Sequence, residues 1–362
     1  MTINTCEPHT FRTFKSPTDV IGDVSTLWHK RLGHASMKVI LKLNSKALVR
    51  NLPKLDYAYH SCNACKLGKQ VHASQKSNKD NISSIRILEL VHLGLFGPST
   101  TPSYEGNFYT LVVVDDFSRY TWIKFLKSKN EVFEKFKKLG KSLQNLHDCR
   151  ITSIQTSLGG NFYKNVQFGE FCDKNGILHN FRSYDSPQTN GIVERMIRRL
   201  QEMCCIMLNE QSISHKFWCH AIETASFIMN RTSITKTCNK TPYEILRRKR
   251  PSLGYFKIFG CKCIISKTHN GIFLGYSHTS KTYKVYNKET SKIIDTLYVS
   301  FDEETCLPFE DKLGENIDQS QNFNHTNLVE IIDHNDENDL ENDFIAQAQN
   351  NTFGFISNLE PK

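Results

Sequence analysis

Apolar residues recur at intervals of three and four after residue 191, a spacing that places their side chains on one face of a helix. These positions are Val193, Ile197, Leu200, Cys204 and Met207. Residues 186–191 contain a proline and an Asn-Gly pair, which is typical of a loop. We therefore predict a helix that begins near residue 192 and buries this apolar face.

Runs of β-branched and aromatic residues predict a sheet before this helix. The predicted strands are residues 109–116, 121–126, 151–156 and 177–181, and the apolar-rich stretch 85–95 precedes them. One helix is predicted after Asn130, which would cap it. Another helix is predicted over 166–174. Strands that come first and then alternate with helices favour an α/β layer with helices on a mixed sheet.

The pattern changes again in the last third of the chain. Ser214 is predicted to cap a helix over 217–228, and Pro242 to open a short helix that ends in the basic run 247–250. Short strands are then predicted over 255–266, 271–276, 282–286 and 292–301. Several short strands in about fifty residues indicate a small barrel.

Charge divides the chain into two parts. Residues 301–362 contain fifteen acids and two lysines, a net charge of −13. Because the whole chain has a net charge of +9, residues 1–300 have a net charge of +22. The basic part suits a polyanion such as nucleic acid, although ordinary solubilising lysine gives the same count. The basic run 247–250 is open to three interpretations, a phosphate-contacting patch, a localisation signal or a solvated charge run.

No apolar run approaches the length of a membrane helix, and the first fifteen residues lack the apolar core of a signal peptide. The expected location is intracellular, in the nucleus or the cytoplasm, without membrane contact. The twelve cysteines are then expected to be mainly reduced thiols.

Two histidines and two cysteines are spaced as a possible zinc site. They are His29, His34, Cys62 and Cys65. Zinc takes four nitrogen and sulfur ligands of this kind. On a continuous helix the two histidines would point about 140° apart, but Gly33 can end the helix and turn His34 back. The alternative is a buried thiol pair with two surface histidines.

Glu194 is predicted to lie on the shoulder of the apolar helix face. A carboxylate there can point along a cleft and bind a metal ion. The alternative is a solvated acid that pairs with Arg198 one turn later.

Several ordered motifs together resemble the integrase region of copia-type retrotransposon polyproteins. The motifs are HKRLGH at 29–34, CNACKLGK at 62–69, LFGP at 95–98, VDDFSR at 114–119, GG at 159–160, PQTNGIVER at 187–195 and GIFLGYS at 271–277. The resemblance covers about residues 27–304. It implies a zinc-binding helical domain, a ribonuclease-H-like core with helices on both sides of a mixed sheet, and an SH3-like β-barrel.

The resemblance for the three domains, and the composition of the chain for the leader, the linker and the tail, give the expected limits. They are a poorly ordered leader (1–22), a zinc-binding pre-integrase domain (23–75), a linker (76–87), the catalytic core (88–250), the barrel (255–304) and a disordered acidic tail (305–362). The segment 266–270 is shorter than the family's connection at this point, so closure of the barrel is an open question.

The resemblance implies a strand-transfer reaction in which two Mg²⁺ ions, about 3.5–4 Å apart, are held by three carboxylates. The first acid of the family pattern is replaced by Gly94 and the second by Ser157, so Glu194 is the surviving acid. A glycine offers no side-chain ligand, and a serine hydroxyl is a poor ligand for Mg²⁺. We therefore expect the Mg²⁺ site to be lost, while structural zinc is retained.

Three functions follow from these residues. The first is a degenerate integrase that binds nucleic acid through Arg195, Arg198 and Arg199 but is catalytically dead. The second is an active integrase with unconventional ligands, for which we consider Asp115 and Asp116, since they point to opposite faces of a core strand and one of them could face the cleft. The third is a non-catalytic DNA-binding module. DNA or another nucleic acid is the expected partner, with self-association into a homo-oligomer as a further expectation.

Overall fold

The computed structural model describes residues 17–55, 62–68, 84–156, 166–181, 191–235, 238–266, 268–277 and 282–303. The predicted acidic tail and the first sixteen residues of the predicted leader lie outside this part of the chain. Ser157 and the Gly-Gly pair at 159–160 also lie outside it.

Three short helices form the N-terminal part. They are α1 (Pro17–Arg31), α2 (Met37–Ser45) and α3 (Asn63–Gly68). Helix α1 begins at Pro17, so its first six residues fall inside the predicted leader, 1–22. The apolar face of α2 is buried through Met37, Ile40 and Leu43, which is why this short amphipathic segment is helical.

A five-stranded mixed sheet forms the centre. Its strands are β1 (Leu90–Phe96), β2 (Tyr109–Asp115), β3 (Thr121–Leu126), β4 (Ser153–Thr156) and β5 (Leu178–Phe181). They lie in the order β3-β2-β1-β4-β5. The first three strands are antiparallel, and β4 and β5 run parallel to β1. The predicted mixed sheet is confirmed, and each predicted strand overlaps an observed one.

Helices cover both faces of this sheet. Helices α4 (Val132–His147) and α5 (Val166–Asn175) pack on one face, and α6 (Gly191–Glu210) and α7 (Trp218–Thr232) lie on the other. Strand β2 contributes to both cores, because alternate side chains of a strand point to opposite faces. Leu111 and Val113 pack with α4 and α5, whereas Val112 and Val114 pack with α6 and α7.

Two predicted helix caps are wrong. Asn130 lies inside a 3₁₀ turn, Lys129–Glu131, that precedes α4, and no side chain caps α4 itself. Ser214 precedes a second 3₁₀ turn, His215–Phe217, and makes no capping hydrogen bond. In contrast, Pro242 opens helix α8 (Pro242–Arg247) as predicted, with the Thr241 side chain accepting from the Glu244 backbone N–H at 3.1 Å.

A second five-stranded sheet follows. Its strands are β6 (Lys262–Ile265), β7 (His269–Tyr276), β8 (Tyr283–Asn287), β9 (Lys292–Thr296) and β10 (Val299–Asp302). All four pairings are antiparallel, in the order β10-β6-β7-β8-β9. The strand predicted over 255–266 is observed only as β6, Lys262–Ile265. The short segment after residue 265 is accommodated as a tight β6–β7 hairpin.

One apolar cluster connects the N-terminal helices, the central sheet and the second sheet. It contains Leu32 of α1, Leu200 of α6, Ile228 of α7 and Phe273 of β7, among others. Each of these side chains is almost completely buried. The three parts of the chain therefore share this cluster, and the central sheet and the second sheet each have a further apolar cluster of their own.

Two expectations from composition can be compared with the structure. Within the described ranges no cysteine forms a disulfide bond. Of the helices in those ranges, none is both long enough and apolar enough for a membrane span.

Candidate metal centre and candidate active site

The end of α1 brings His34 back toward His29. The helix stops after Arg31, and the next turn contains Gly33 at φ +58° and His34 at φ +61°. The backbone N–H of His34 donates to the carbonyl of His29 at 2.9 Å. Left-handed φ values reverse the chain direction after a helix, which removes the 140° separation expected on a continuous helix.

The four predicted ligands come together. Their ligand atoms all lie within 4.8 Å of one another. The His34 Nδ1 to His29 Nε2 distance is 3.2 Å, and Cys65 Sγ lies 3.4 Å from His29 Nε2 and 3.5 Å from His34 Nδ1. Cys62 Sγ lies 3.5 Å from His34 Nδ1.

The four short separations, 3.2–3.5 Å, are close to the edges of a tetrahedron around an ion. With metal–nitrogen bonds of about 2.0–2.1 Å and metal–sulfur bonds of about 2.3 Å, a tetrahedron has edges of about 3.3 Å between nitrogens and about 3.6 Å between nitrogen and sulfur. Two imidazoles and two thiols are a donor set that zinc prefers. Such a closed site would cross-link α1 to α3 and supply no open position for chemistry.

The other ring nitrogens of both histidines have fixed partners. His29 Nδ1 donates to the carbonyl of Ala35 at 2.8 Å, which leaves its Nε2 lone pair facing the cluster. His34 Nε2 lies 2.7 Å from Glu210 Oε2, so its Nδ1 faces the cluster. Partners of this kind fix the tautomer and the ring orientation of metal-binding histidines.

Glu210 belongs to the last turn of α6, in the centre of the molecule. Its second oxygen, Oε1, lies 3.1 Å from Lys30 Nζ. Burial raises the pKa of the Glu210 carboxyl, but the hydrogen bond and charge of His34 and the charge of Lys30 outweigh it and lower that pKa to about 2. Sequence reasoning missed Glu210, because no local spacing connects it with residues 29–65.

The candidate catalytic residue, Glu194, lies in the first turn of α6 and is exposed. Its neighbours Val193 and Ile197 are buried, as the predicted helix face requires. Of the predicted nucleic-acid contacts, Arg198 and Arg199 are exposed, and Arg195 is half-buried with its guanidinium against Gly191.

Gly94 lies on β1 beneath this part of α6. A Cβ atom built on Gly94 would lie 2.7 Å from Val193 Cγ2 and 2.9 Å from Ile197 Cδ1. Real Cβ contacts are almost never that short, so Val193 and Ile197 occupy the space that a larger side chain would need. The structure therefore packs β1 and α6 against each other through apolar groups at this position.

Asp115 is buried at the end of β2 and holds a turn. Its carboxylate accepts from the backbone N–H of Leu88 at 2.8 Å and from the N–H and hydroxyl of Ser118 at 2.8 and 2.5 Å. Burial raises the pKa of Asp115, while the hydrogen bonds from Ser118 and Leu88 oppose that rise.

Asp116 is buried in a separate polar cluster. It accepts from the N–H and hydroxyl of Ser84 at 3.0 and 2.8 Å, and it lies 3.2 Å from His92 Nε2 and 3.3 Å from an Arg119 nitrogen. Burial raises its pKa, but the hydrogen bonds from His92 and Ser84 and the charges of Arg119 and His92 hold that pKa well below its usual value.

Comparison with known families finds two matches. Residues 2–70 match the GAG-pre-integrase domain, and residues 264–316 match the retroviral polymerase SH3-like domain. The first match contains all four residues of the histidine and cysteine cluster.

Curated relatives match a larger part of the chain. The Retrovirus-related Pol polyprotein from transposon TNT 1-94 of Nicotiana tabacum is 30% identical over 76% of this chain and 21% of the relative. The corresponding polyprotein from transposon RE1 of Arabidopsis thaliana is 30% identical over 79% of this chain and 20% of the relative. The chain therefore spans about a fifth of the length of these relatives. The matches confirm the predicted resemblance to copia-type retrotransposon polyproteins.

Solved structures give weaker matches. The HTLV-2 integrase catalytic core domain in complex with magnesium is 18% identical, with a TM-score of 0.34 over 44% of this chain and 97% of that chain. The simian T-cell lymphotropic virus intasome in complex with the PP2A regulatory subunit B56 gamma is 20% identical, with a TM-score of 0.38 over 63% of this chain and 77% of that chain.

Proposed function

We propose that this chain, which resembles the integrase region of copia-type retrotransposon polyproteins, is an integrase-like protein that binds nucleic acid and has lost strand-transfer activity. The proposal covers this segment and not the longer polyproteins that it resembles. It follows from the replacement of two of the three expected acids, at Gly94 and Ser157.

The packing around Gly94 carries this proposal. A carboxylate at this position would have to displace Val193 and Ile197, which now fill the space between β1 and α6. Two divalent cations bring a charge of +4, and Glu194 alone offers −1. A site with one acid and an apolar wall is therefore a poor site for Mg²⁺.

The active-integrase alternative needs substitute ligands, and the two candidates considered from the sequence, Asp115 and Asp116, are already used. Asp115 accepts three hydrogen bonds and Asp116 is held by Ser84, His92 and Arg119. Moving either carboxylate to a metal would leave buried donors unsatisfied, at a cost of about 1–3 kcal/mol for each. These contacts favour the inactive protein over rescue by Asp115 or Asp116.

A strand-transfer assay tests the loss of activity. The purified chain is incubated with DNA duplexes and Mg²⁺ or Mn²⁺, and joined products are resolved on a gel. We expect none above background. Joining that disappears in Glu194→Gln would contradict the proposal and support unconventional ligands.

Nucleic-acid binding is proposed from the positive charge of residues 1–300 and from the exposed pair Arg198 and Arg199. In a gel-shift assay with duplex DNA, affinity should fall steeply with salt. The slope of the logarithm of the binding constant against the logarithm of salt concentration should become less steep by up to about two in Arg198→Gln with Arg199→Gln. The matched control, Lys135→Gln with Lys138→Gln, removes two exposed charges from α4 on the other side of the sheet.

Two outcomes of the gel shift would contradict this part of the proposal. One is the absence of any shift at low salt. The other is an equal loss of affinity in the arginine and lysine double variants, which would mean that only total charge matters. Survival of binding in Glu194→Ala would further support a non-catalytic DNA-binding role.

A single structural Zn²⁺ is proposed at His29, His34, Cys62 and Cys65. When bound, the ion would cross-link α1 and α3, a small segment whose folding gains from such a cross-link. Elemental analysis of the folded full chain should give about one zinc per chain, and Cys62→Ser with Cys65→Ser should give none. A folded wild-type chain without zinc after zinc supplementation would overturn this assignment.

The remaining expectations rest on the resemblance alone. They are the domain limits 23–75, 88–250 and 255–304 and self-association. A nuclear or cytoplasmic location stays an expectation from the sequence. Native mass spectrometry of the purified chain tests self-association directly.

A further inference from the structure

Glu210 connects the histidine and cysteine cluster to the central helix α6. Its side chain is 14% exposed, and that of His34 is 1% exposed. The hydrogen bond between His34 Nε2 and Glu210 Oε2 is 2.7 Å long. A carboxylate that accepts the outer N–H of a metal-binding imidazole fixes that ring and makes its other nitrogen a stronger donor.

The surroundings of Glu210 fix its position. Lys30 Nζ holds the second carboxylate oxygen at 3.1 Å. One turn earlier on the same helix, Ile206 lies so close to Gly68 that a Cβ on this glycine would overlap it. Helix α6 thus contacts both halves of the cluster, the α1 end through Glu210 and α3 through Ile206.

We infer that Glu210 is a positioning residue of the metal centre, which holds His34 in its ligating tautomer and orientation and makes zinc affinity depend on helix α6. This inference rests on the proposed zinc site. Glu210 does not touch the ion in this arrangement. It acts only through His34.

The test compares Glu210→Ala and Glu210→Gln with the wild-type full chain. Zinc affinity is measured by competition with a chromophoric chelator. Loss of such a partner typically weakens metal affinity about 10- to 100-fold, and we expect this range for Glu210→Ala. The zinc affinity of Glu210→Gln should lie between those of the wild type and Glu210→Ala, because an amide oxygen still accepts the hydrogen bond but carries no charge.

Two controls separate this role from general destabilisation. Glu202→Gln removes the same charge from a half-buried position on the same helix, and its zinc affinity should equal that of the wild type. Lys30→Gln removes the other partner of Glu210 and leaves the His34 hydrogen bond, so it should change affinity by less than about 3-fold, well below the range for a lost outer partner.

Cobalt substitution gives a readout that a merely structural role would not move. The visible d–d bands of the Co²⁺-loaded chain depend on the donor strength of His34, so they should shift in Glu210→Gln and not in Glu202→Gln. If Glu210→Ala does not fold, Glu210→Gln decides the question by the same two measurements.

The outcomes distinguish the two proposals. If wild-type chain binds neither Zn²⁺ nor Co²⁺, the proposed zinc site fails. If wild-type chain binds Zn²⁺ but the Glu210 variants match Glu202→Gln in affinity and spectrum, the role of Glu210 is overturned while the zinc site stands.

Discussion

Gly94 and Val193 form a pair at the candidate active site that only packing reveals. Val193 belongs to the apolar face predicted for α6, and its burial is no surprise. Its Cγ2 methyl group, however, lies only 2.7 Å from where the first atom of a side chain at position 94 would be. The glycine at position 94, where the resemblance implies an acid, and the close β1–α6 packing are therefore parts of the same local arrangement.

Restoring an acid at this position should destabilise the chain unless room is made for it. We expect Gly94→Asp to lower the free energy of unfolding by about 2–3 kcal/mol, since overpacking of a core typically costs about 1–3 kcal/mol and the carboxylate is also desolvated. Val193→Ala alone should cost about 1–2 kcal/mol through the cavity it leaves. Urea denaturation of the single variants and of the double variant measures these effects.

The double variant Gly94→Asp with Val193→Ala is the informative one. It should be at least about 1 kcal/mol more stable than the sum of the two single effects, because residues in direct contact couple. Additive effects would mean that Val193 does not limit the space at position 94. Any attempt to restore strand transfer with Ser157→Asp should therefore include Val193→Ala.

At the level of the elements, α6 contacts both candidate sites. Its first turn contains Glu194 and its last turn contains Glu210, with the buried face of Val193, Ile197 and Leu200 between them. The periodicity of the sequence predicted this face correctly, because apolar spacing is a property of the helix itself. The importance of Glu210 depends on a residue far away in sequence and could not be predicted in that way.

The ends of β1 and β2 are held by the cluster around Asp116. Because burial is outweighed by His92, Ser84 and Arg119, the pKa of Asp116 is lowered well below 3.8. A carboxyl whose pKa is lower in the folded state than in the unfolded state stabilises the fold at pH values above its ordinary pKa. This stabilisation is lost as the pH falls toward the folded-state pKa. Asp115, with its raised pKa, acts in the opposite sense.

Asp116→Asn should lower the free energy of unfolding by about 3 kcal/mol at pH 7, the usual cost of breaking a buried ion pair. The deficit should shrink below pH 4, where the wild type begins to lose the same contribution. Urea denaturation at pH 7 and pH 3 measures both values. Glu134→Gln, an exposed acid of α4, is the control and should change stability by less than about 1 kcal/mol. A deficit that is the same at both pH values would contradict the role given to the Asp116 charge.

At the scale of the whole molecule, the N-terminal helices and the two sheets share one apolar cluster. Polar contacts reinforce this arrangement, since Glu303 after β10 accepts from Arg31 of α1 and lies 3.3 Å from Lys257 Nζ. Events at the metal centre should therefore reach the central helices and should not stay within residues 17–68.

Removal of zinc should loosen α6 as well as the N-terminal helices. Hydrogen exchange of the full chain, with and without a strong chelator, measures this by peptide. We expect faster exchange in 203–210, which contacts the cluster, and unchanged exchange in α4, which packs on the opposite face of the sheet. A change confined to residues 17–68 would show that the metal centre is energetically independent of the core.

The sequence by itself predicted most elements, the candidate zinc ligands and the replacement of two expected acids. Apolar periodicity, turn residues and the Cys-x-x-Cys spacing are local signals, and local signals survive without knowledge of the fold. Helix starts were less predictable, as Asn130 and Ser214 show, because a preceding 3₁₀ turn can take the place of a side-chain cap.

Only the tertiary structure decided what lies beside these residues. It placed Val193 against Gly94, used Asp115 and Asp116 in buried hydrogen bonds, and brought Glu210 to His34 across 176 positions of sequence. Such contacts depend on how β1, α1 and α6 pack, and packing is set by the sum of many distant apolar contacts. For that reason the sequence alone could identify Gly94 at the place of an expected acid but not the closed space beside it.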